Sequence, residues 1–188
     1  MRAPQKLIVT AMLAAASLTA HRGHAQVFVD FGVHSSEIES RFANLDTPVS
    51  VSDSGVHIGL GARRAVTDRS DIGVRLELNS IDGNAFAAVR AVDFRRRFKQ
   101  RFAVTAFLGA ARLDLATPAW GYYVGFGVQW LELAAKWDLS IDAHFGEKVA
   151  RDNLLPEDPQ GGSPDNFHDV SGVSLYLSRS FGAAGDNR

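Results

Sequence analysis

The feature that most constrains this chain is an alternation of apolar and polar residues with a period of two. Successive side chains of a β-strand point to opposite faces, so this period indicates strands rather than helices. Eight segments carry this pattern, although 86–98 does so imperfectly: 27–34, 56–63, 72–79, 86–98, 102–110, 122–130, 136–145 and 173–181. Short connections and the even strand number predict an all-β fold, an eight-stranded antiparallel up-and-down β-barrel.

One segment, 86–98, does not fit the simple alternation. Val92 and Phe94 share their parity with Arg90, so an uninterrupted strand would place a guanidinium on the apolar face. Two interpretations remain open for this segment. Either a β-bulge shifts the register between these residues, or Arg90 faces outward near an interface.

The first 25 residues differ from the rest of the chain. Arg2 and Lys6 precede an apolar run, 7–16, and small residues flank His24 before a cleavage site after Ala25. This is the layout of a secretory signal peptide, and the apolar run is too short for a membrane-spanning helix. We therefore predict a signal peptide at 1–25, a β-barrel at 26–181 and a short C-terminal tail at 182–188.

Composition excludes several classes of protein. The chain has no cysteine, which excludes a disulfide scaffold and any cysteine-based site. Lys plus Arg number 20 and Asp plus Glu 21, so no net charge favours nucleic acid as a partner. The sequence also predicts no cofactor and no metal, and the acidic loop 151–169 is interpreted as a surface loop rather than a calcium site.

Alternation alone does not separate a soluble barrel from a membrane barrel, but the polar face does. Its charges are interleaved with glycines, a pattern that suits a crowded lumen in which opposite charges pair. We predict an inward polar network rather than an acid/base site. Its members are Asp30, His57, Arg63, Arg75, Glu77, Asp93, Arg95, Lys136, Asp138, Asp142 and His144.

Aromatic residues and connection lengths also favour a transmembrane barrel. Trp120, Tyr122, Trp130 and Trp137 lie near strand ends on the apolar face, as expected of an aromatic girdle. Alternate connections are short, whereas two long ones, 35–55 and 146–169, match extracellular loops.

The chain resembles the small outer-membrane barrels of the OmpA, OmpX, OmpW and opacity-protein type across its mature region. The segment that contains Tyr176 and ends at Phe181 is similar to the C-terminal signal that the family's assembly machinery recognises, although Gly182–Arg188 follow it. The resemblance implies an outer-membrane location. It also implies contact with lipopolysaccharide and the barrel-assembly machinery. Nucleic acid is not expected as a partner, because export separates the protein from it.

The expected function is structural or a surface interaction through the two long loops, without enzymatic activity. One alternative is an OmpW-like passage for small hydrophobic molecules, which a lateral opening in the wall would favour. Another is a lipid A-modifying enzyme, for which His34 and Ser36 give the only His-x-Ser spacing in the mature chain. The basic run at 95–101 is predicted to meet inner-leaflet phosphates or peptidoglycan.

Overall fold

The computed structural model describes residues 25–41, 48–115, 117–134, 136–151 and 167–181. Residues 1–24 and 182–188 lie outside the described residues. They contain the apolar run of the predicted signal peptide and the predicted C-terminal tail. The strands are β1 (Gln26–Arg41), β2 (Val49–Thr67), β3 (Ser70–Ile81), β4 (Asn84–Lys99), β5 (Phe102–Leu113), β6 (Thr117–Pro118), β7 (Gly121–Ala134), β8 (Trp137–Arg151) and β9 (Phe167–Phe181). In these ranges no helix is long and apolar enough to cross a membrane.

The long strands close into one barrel. Each pairs antiparallel with its neighbours in the order β8, β7, β5, β4, β3, β2, β1, β9, and pairing of β8 with β9 completes the ring. The two-residue β6 pairs with the last residues of β8, beyond the point where the pairing of β7 with β8 ends. The predicted eight-stranded antiparallel up-and-down barrel is therefore confirmed, and closure pairs each long strand with a neighbour on both sides over their common length.

The two ends of the barrel differ. One end, here called the termini end, carries the start of β1, the end of β9 and turns at Asp68–Arg69 and Gln100–Arg101. The opposite end, called the loop end, carries the turn at Asp82–Gly83, whose φ angles of 50° and 71° suit a two-residue hairpin turn.

The outer face of the wall is apolar, and the inner face is charged. Phe31, Ile58 and Phe126 are exposed on the outside, while Arg75 and Glu77 are buried inside. From Tyr122 to Trp130 the outer face spans eight residue-to-residue steps, roughly 27 Å of strand, or about 20 Å along the axis after a tilt near 40°. A soluble barrel has the reverse arrangement, so this is a transmembrane β-barrel.

A β-bulge resolves the irregular segment in β4. Arg75 on β3 pairs with Arg90, Gly73 pairs with Asp93, and the register shifts between them. The bulge at Ala91 turns Arg90 into the lumen and leaves Val92 on the lipid face. Of the two interpretations left open by the sequence, the bulge is correct.

The predicted loop bounds 35–55 and 146–169 were too wide. β1 continues to Arg41 and β2 begins at Val49, with unbroken pairing from Ser35–Ser54 to Ser40–Val49. On the other side β8 continues to Arg151 and β9 begins at Phe167. The apolar outer residues end at the membrane boundary, but the strands continue beyond it with polar side chains outside. Residues 42–47 and 152–166 between these strands lie outside the described residues.

Candidate functional site

The centre of the lumen is occupied by Arg90, which is 0% exposed because the bulge in β4 points it inward. Its Nη1 donates to Oδ2 of Asp142 at 2.7 Å, and its Nη2 lies 2.5 Å from Oε1 of Glu77. The guanidinium also lies 3.5 Å from the ring centroid of Phe107. Two carboxylates and an aromatic face therefore compensate the burial of this charge.

A second arginine, Arg75, lies beside the first and joins three strands. Its Nη2 and Nε donate to Oδ2 of Asp93 at 3.0 and 3.2 Å, and its Nη1 lies 3.2 Å from Oδ2 of Asp30. Nη1 also donates to the hydroxyl of Tyr176 at 2.7 Å. Tyr176 in turn donates to Asp142, so the Arg75 and Arg90 clusters form one hydrogen-bonded network.

Other lumen side chains complete this network. Tyr123 donates to Glu77 at 3.0 Å, Thr105 donates to Asp142 at 3.0 Å, and Ser178 donates to Asp30. These contacts supply the extra donors that buried carboxylates need when they leave water.

Two glycines of β7 leave space for side chains of the network. A Cβ on Gly125 would collide with the Phe107 ring, and one on Gly127 would collide with the Asp142 carboxylate. The glycines that interrupt the polar face are therefore close-packing positions.

The termini end of the lumen holds a separate cluster around Arg95. Its Nε donates to Oδ2 of Asp71 at 2.7 Å, and its Nη1 donates to Gln129 at 3.2 Å and lies 3.6 Å from Asp138. Arg63 is also buried here, and within the described residues it has no carboxylate at ion-pair distance. Its guanidinium lies 3.8 Å from the ring centroid of Phe28, so its main described contact is with an aromatic face.

The loop end of the lumen is filled by apolar side chains. Ile81, Phe86, Leu113, Val149 and Val170 are all 0% exposed and pack in one cluster. Below them the charged network occupies the axis. The described lumen therefore combines an apolar layer of buried side chains with a charged layer of buried side chains.

A chain of buried histidines and a serine lies at the boundary between the two layers. Nδ1 of His34 is 2.9 Å from Oγ of Ser36, and that oxygen is 3.5 Å from Nε2 of His144. Nε2 of His34 is 2.9 Å from the carbonyl oxygen of Ser80. All three side chains point into the lumen, whereas an enzyme acting on lipid needs its nucleophile on the outer wall.

The structure places every member of the predicted polar network inside the barrel except Lys136. Lys136 lies in the turn between β7 and β8, where its side chain is exposed and its φ is 73°. The sequence pattern extended the alternation of β8 one residue too far, because β8 begins at Trp137. In the described ranges, no group of three or more acidic residues or histidines could hold a metal ion.

Sequence reasoning missed several members of the network. Arg90 was ambiguous because its parity depends on the bulge, and Asp71 precedes the apolar alternation of β3. Tyr123 and Gln129 also face the lumen. Only their position in the strand alternation indicated this, since they alternate with the lipid-facing residues of β7. A rule that assigns every side chain of polar-face parity to the lumen would have found these two.

The predicted girdle residues lie at the two rims of the barrel. Trp120 and Tyr122 are at the loop end, while Trp130 and Trp137 are at the termini end. Trp130 stacks on Phe102 with a centroid distance of 5.6 Å.

The predicted assembly signal is divided between two faces. Tyr176 is buried inside the lumen, whereas Phe181 is exposed on the outer wall. Strand parity separates them, since the two positions are five residues apart, an odd number. A factor that reads the outer wall of β9 would meet Leu175, Leu177 and Phe181, and their part in assembly stays a prediction.

An apolar wall around a side-chain-filled lumen is the architecture of the small eight-stranded outer-membrane barrels. No protein-family model matches this chain, and no curated protein matches it. Among solved structures the fold is similar to Ail, the attachment invasion locus protein of Yersinia pestis, with a TM-score of 0.51 and 8% identity over 86% of this chain and 100% of that chain. The outer membrane protein OprG from Pseudomonas aeruginosa gives a TM-score of 0.49 at 12% identity, covering 86% of this chain and 98% of that chain. At this low identity, the similarity to Ail shows the fold alone.

Proposed function

We propose that this protein is an outer-membrane barrel with a closed lumen, whose loop end mediates contacts at the cell surface. The observation that carries the proposal is a sheet of β8, β9, β1 and β2 that projects beyond the rest of the wall. β2 pairs with β3 only as far as His57 and Asn79, while it pairs with β1 as far as Val49. Within the described residues, β2 therefore forms no ladder with β3 over 49–56, although the end of the β3–β4 hairpin still lies beside Gly55 and Asp53.

The chemistry of the projecting sheet suits an aqueous surface. Ser35 and Glu37 face outward on β1 where the lipid-facing residues of the same strand have ended. On the inner side, Ile38 is buried against the apolar layer of the lumen, which supports the sheet from within. An unpaired strand edge offers free backbone donors and acceptors, a ready template for binding an extended segment of another chain.

The projecting β1–β2 pair is fixed to the neighbouring hairpin. The amide of Asp82 donates to Oδ2 of Asp53 at 2.6 Å. This hydrogen bond, with a second from the Ser54 amide, lowers the pKa of the Asp53 carboxyl below its ordinary value. The contact is therefore expected to persist unless the pH falls into the range in which a carboxylate is protonated.

The same proposal covers location and partners. Outer-membrane lipid, with lipopolysaccharide at the loop end, would contact the apolar wall, and the barrel-assembly machinery would insert it. Export excludes nucleic acid from its partners. The proposal includes no catalytic role, since the only His-x-Ser pair lies inside the lumen.

We expect a cysteine at position 52 to be reachable from outside the cell, because Ser52 is exposed on the projecting part of β2. The chain has no native cysteine, so Ser52→Cys gives a single labelling site. An impermeant polyethylene-glycol maleimide should label it on intact cells and should reduce retention of those cells on surfaces coated with matrix proteins. The matched variant Gln100→Cys, in a termini-end turn, should be labelled only after the outer membrane is permeabilised. Labelling of Gln100→Cys alone on intact cells, or retention unaffected by labelling at position 52, would contradict the proposal.

A passage for hydrophobic molecules is the second candidate, and one observation favours it. Where the β2–β3 ladder ends, an apolar groove of about 260 Å³ lies on the outer wall between Val56, Ile58 and Leu78. Inside this wall, however, Ile81 and Phe86 are completely buried. Faster uptake of a hydrophobic fluorescent dye by cells that produce the protein would favour this candidate over surface contact.

A further inference from the structure

Three turns at the termini end are joined into one rim. The amide of Arg97 donates to the carbonyl of Arg69 at 2.7 Å, which joins the β4–β5 hairpin to the β2–β3 turn. The amide of Leu131 donates to the carbonyl of Arg101 at 2.8 Å, which joins the same hairpin to β7. A cleft of about 610 Å³ lies on this rim.

The charged residues that line this cleft are mostly basic. Arg69, Arg97, Lys99 and Arg101 contribute four positive charges, against Asp68 and Glu132. The structure shows no ion pair for these four basic side chains within the described residues, in contrast to the arginines of the central lumen. The four cations outnumber the two carboxylates beside them and repel one another, so an anion in the cleft would relieve this repulsion.

The cleft lies at the edge of the apolar band. A second bulge in β4, between Arg97 and Lys99, leaves Phe98 54% exposed beside the two cations. The Phe98 ring stacks on Phe102 at a centroid distance of 6.1 Å, and Phe102 stacks on Trp130 of the aromatic girdle. Aromatic girdles mark the membrane interface, so the adjacent basic groups lie at the depth of the lipid phosphates.

The two ends of the barrel also differ in charge. Beyond the cleft, the outer face of the termini end carries Arg64, Arg96 and Arg179. The described surface of the loop end carries mostly acidic residues, namely Glu37, Glu39, Asp53, Asp82, Asp114 and Glu147, against Arg112, Lys148 and Arg151. Anionic headgroups are therefore attracted to the termini end and repelled from the loop end.

We propose that the basic cleft binds the phosphate of an anionic phospholipid, of the phosphatidylglycerol class, from the leaflet that meets the termini end. The guanidinium groups of Arg97 and Arg101 present paired donors that match a phosphodiester, and Lys99 adds a third cation. The acyl chains would lie along Phe98 and Phe102. This site depends only on the fold and its charge pattern, so it is independent of the proposed surface function.

Trp130 provides a direct readout, because it belongs to the aromatic row beside the cleft. Trp120→Phe and Trp137→Phe leave Trp130 as the only tryptophan in the described strands and turns. The full mature chain is folded into phosphatidylcholine vesicles that contain brominated phosphatidylglycerol or, at the same mole fraction, brominated phosphatidylcholine. We expect brominated phosphatidylglycerol to quench the fluorescence of Trp130 at least about threefold more strongly than brominated phosphatidylcholine does.

In the same background, Arg97→Gln/Lys99→Gln/Arg101→Gln should remove the preference. The matched control Arg112→Gln/Lys148→Gln, which neutralises exposed cations at the loop end, should retain it. Heat-modifiable gel migration verifies that each variant is folded. Equal quenching by the two lipids with the cleft intact overturns the proposal by itself, even if the triple variant does not fold. A preference that survives in the folded triple variant also overturns it, and loss of the preference in excess inorganic phosphate would assign the cleft to a soluble anion instead.

Discussion

Arg90→Met is expected to lower the free energy of unfolding by about 3–5 kcal/mol, the largest effect of any single substitution considered for this barrel. Methionine keeps an unbranched apolar side chain over Phe107 but removes the charge that compensates Glu77 and Asp142. Two buried carboxylates would then lack their main counter-ion. Urea titration of the protein folded in lipid vesicles, read by tryptophan fluorescence, measures the change.

Two further variants distinguish the effect of losing the buried charge from the effect of changing the side-chain volume. Arg96→Met, on the outer rim of the same strand, should change stability by no more than about 0.5 kcal/mol, because Arg96 is exposed. Adding Glu77→Gln to Arg90→Met should recover part of the loss, since one of the uncompensated charges is removed. Equal effects of Arg90→Met and Arg96→Met would show that the central network does not stabilise the barrel.

Ala106→Arg is expected to cost about 2–4 kcal/mol, because it places a guanidinium in lipid near the midplane. Ala106 lies on the outer face of β5 and pairs with Phe126. Ala110 pairs with Tyr122 four residues along this ladder in one direction, and Phe102 pairs with Trp130 four residues along it in the other, so Ala106 is midway between the two girdles. The same urea titration in lipid measures the loss.

The effects of charge and of depth in the membrane can be tested separately on the outer face of the barrel. Ala106→Leu adds volume without charge and should be nearly neutral, because the outer wall is apolar. Val66→Arg places the same charge on the exposed end of β2, near the interface, where the cost should fall to about 0–1 kcal/mol. An arginine at position 106 that cost no more than one at position 66 would mean that the inner and outer faces are reversed.

The sequence predicts the wall of this barrel well, because the wall depends on strand parity alone. In β7, the lipid-facing Val124 and Val128 and the lumen-facing Gln129 follow directly from alternation. Parity cannot locate a bulge, since an added residue changes the face of everything beyond it. The position of Arg90, at the centre of the lumen, was therefore open until the register of β4 was known.

Strand ends and lumen contacts were harder to predict. Apolar alternation ends where the lipid ends, so it gives no information about strands that continue into water, as β1 does as far as Arg41. It also extended β8 to Lys136, which lies in a turn. The contacts of Arg75 join residues that are distant in sequence, such as Asp30 and Tyr176, and only barrel closure brings them together.

Single-channel recording in planar bilayers tests the central claim, a membrane barrel with a closed lumen, most directly. An eight-stranded barrel has an interior just wide enough for side chains, and here Arg75, Arg90 and Tyr123 are almost completely buried within it. We therefore expect the purified, folded protein to show no steady conductance, whether or not residues 42–47 and 152–166 are deleted. A stable, porin-sized conductance that persists in the deleted form would contradict the account.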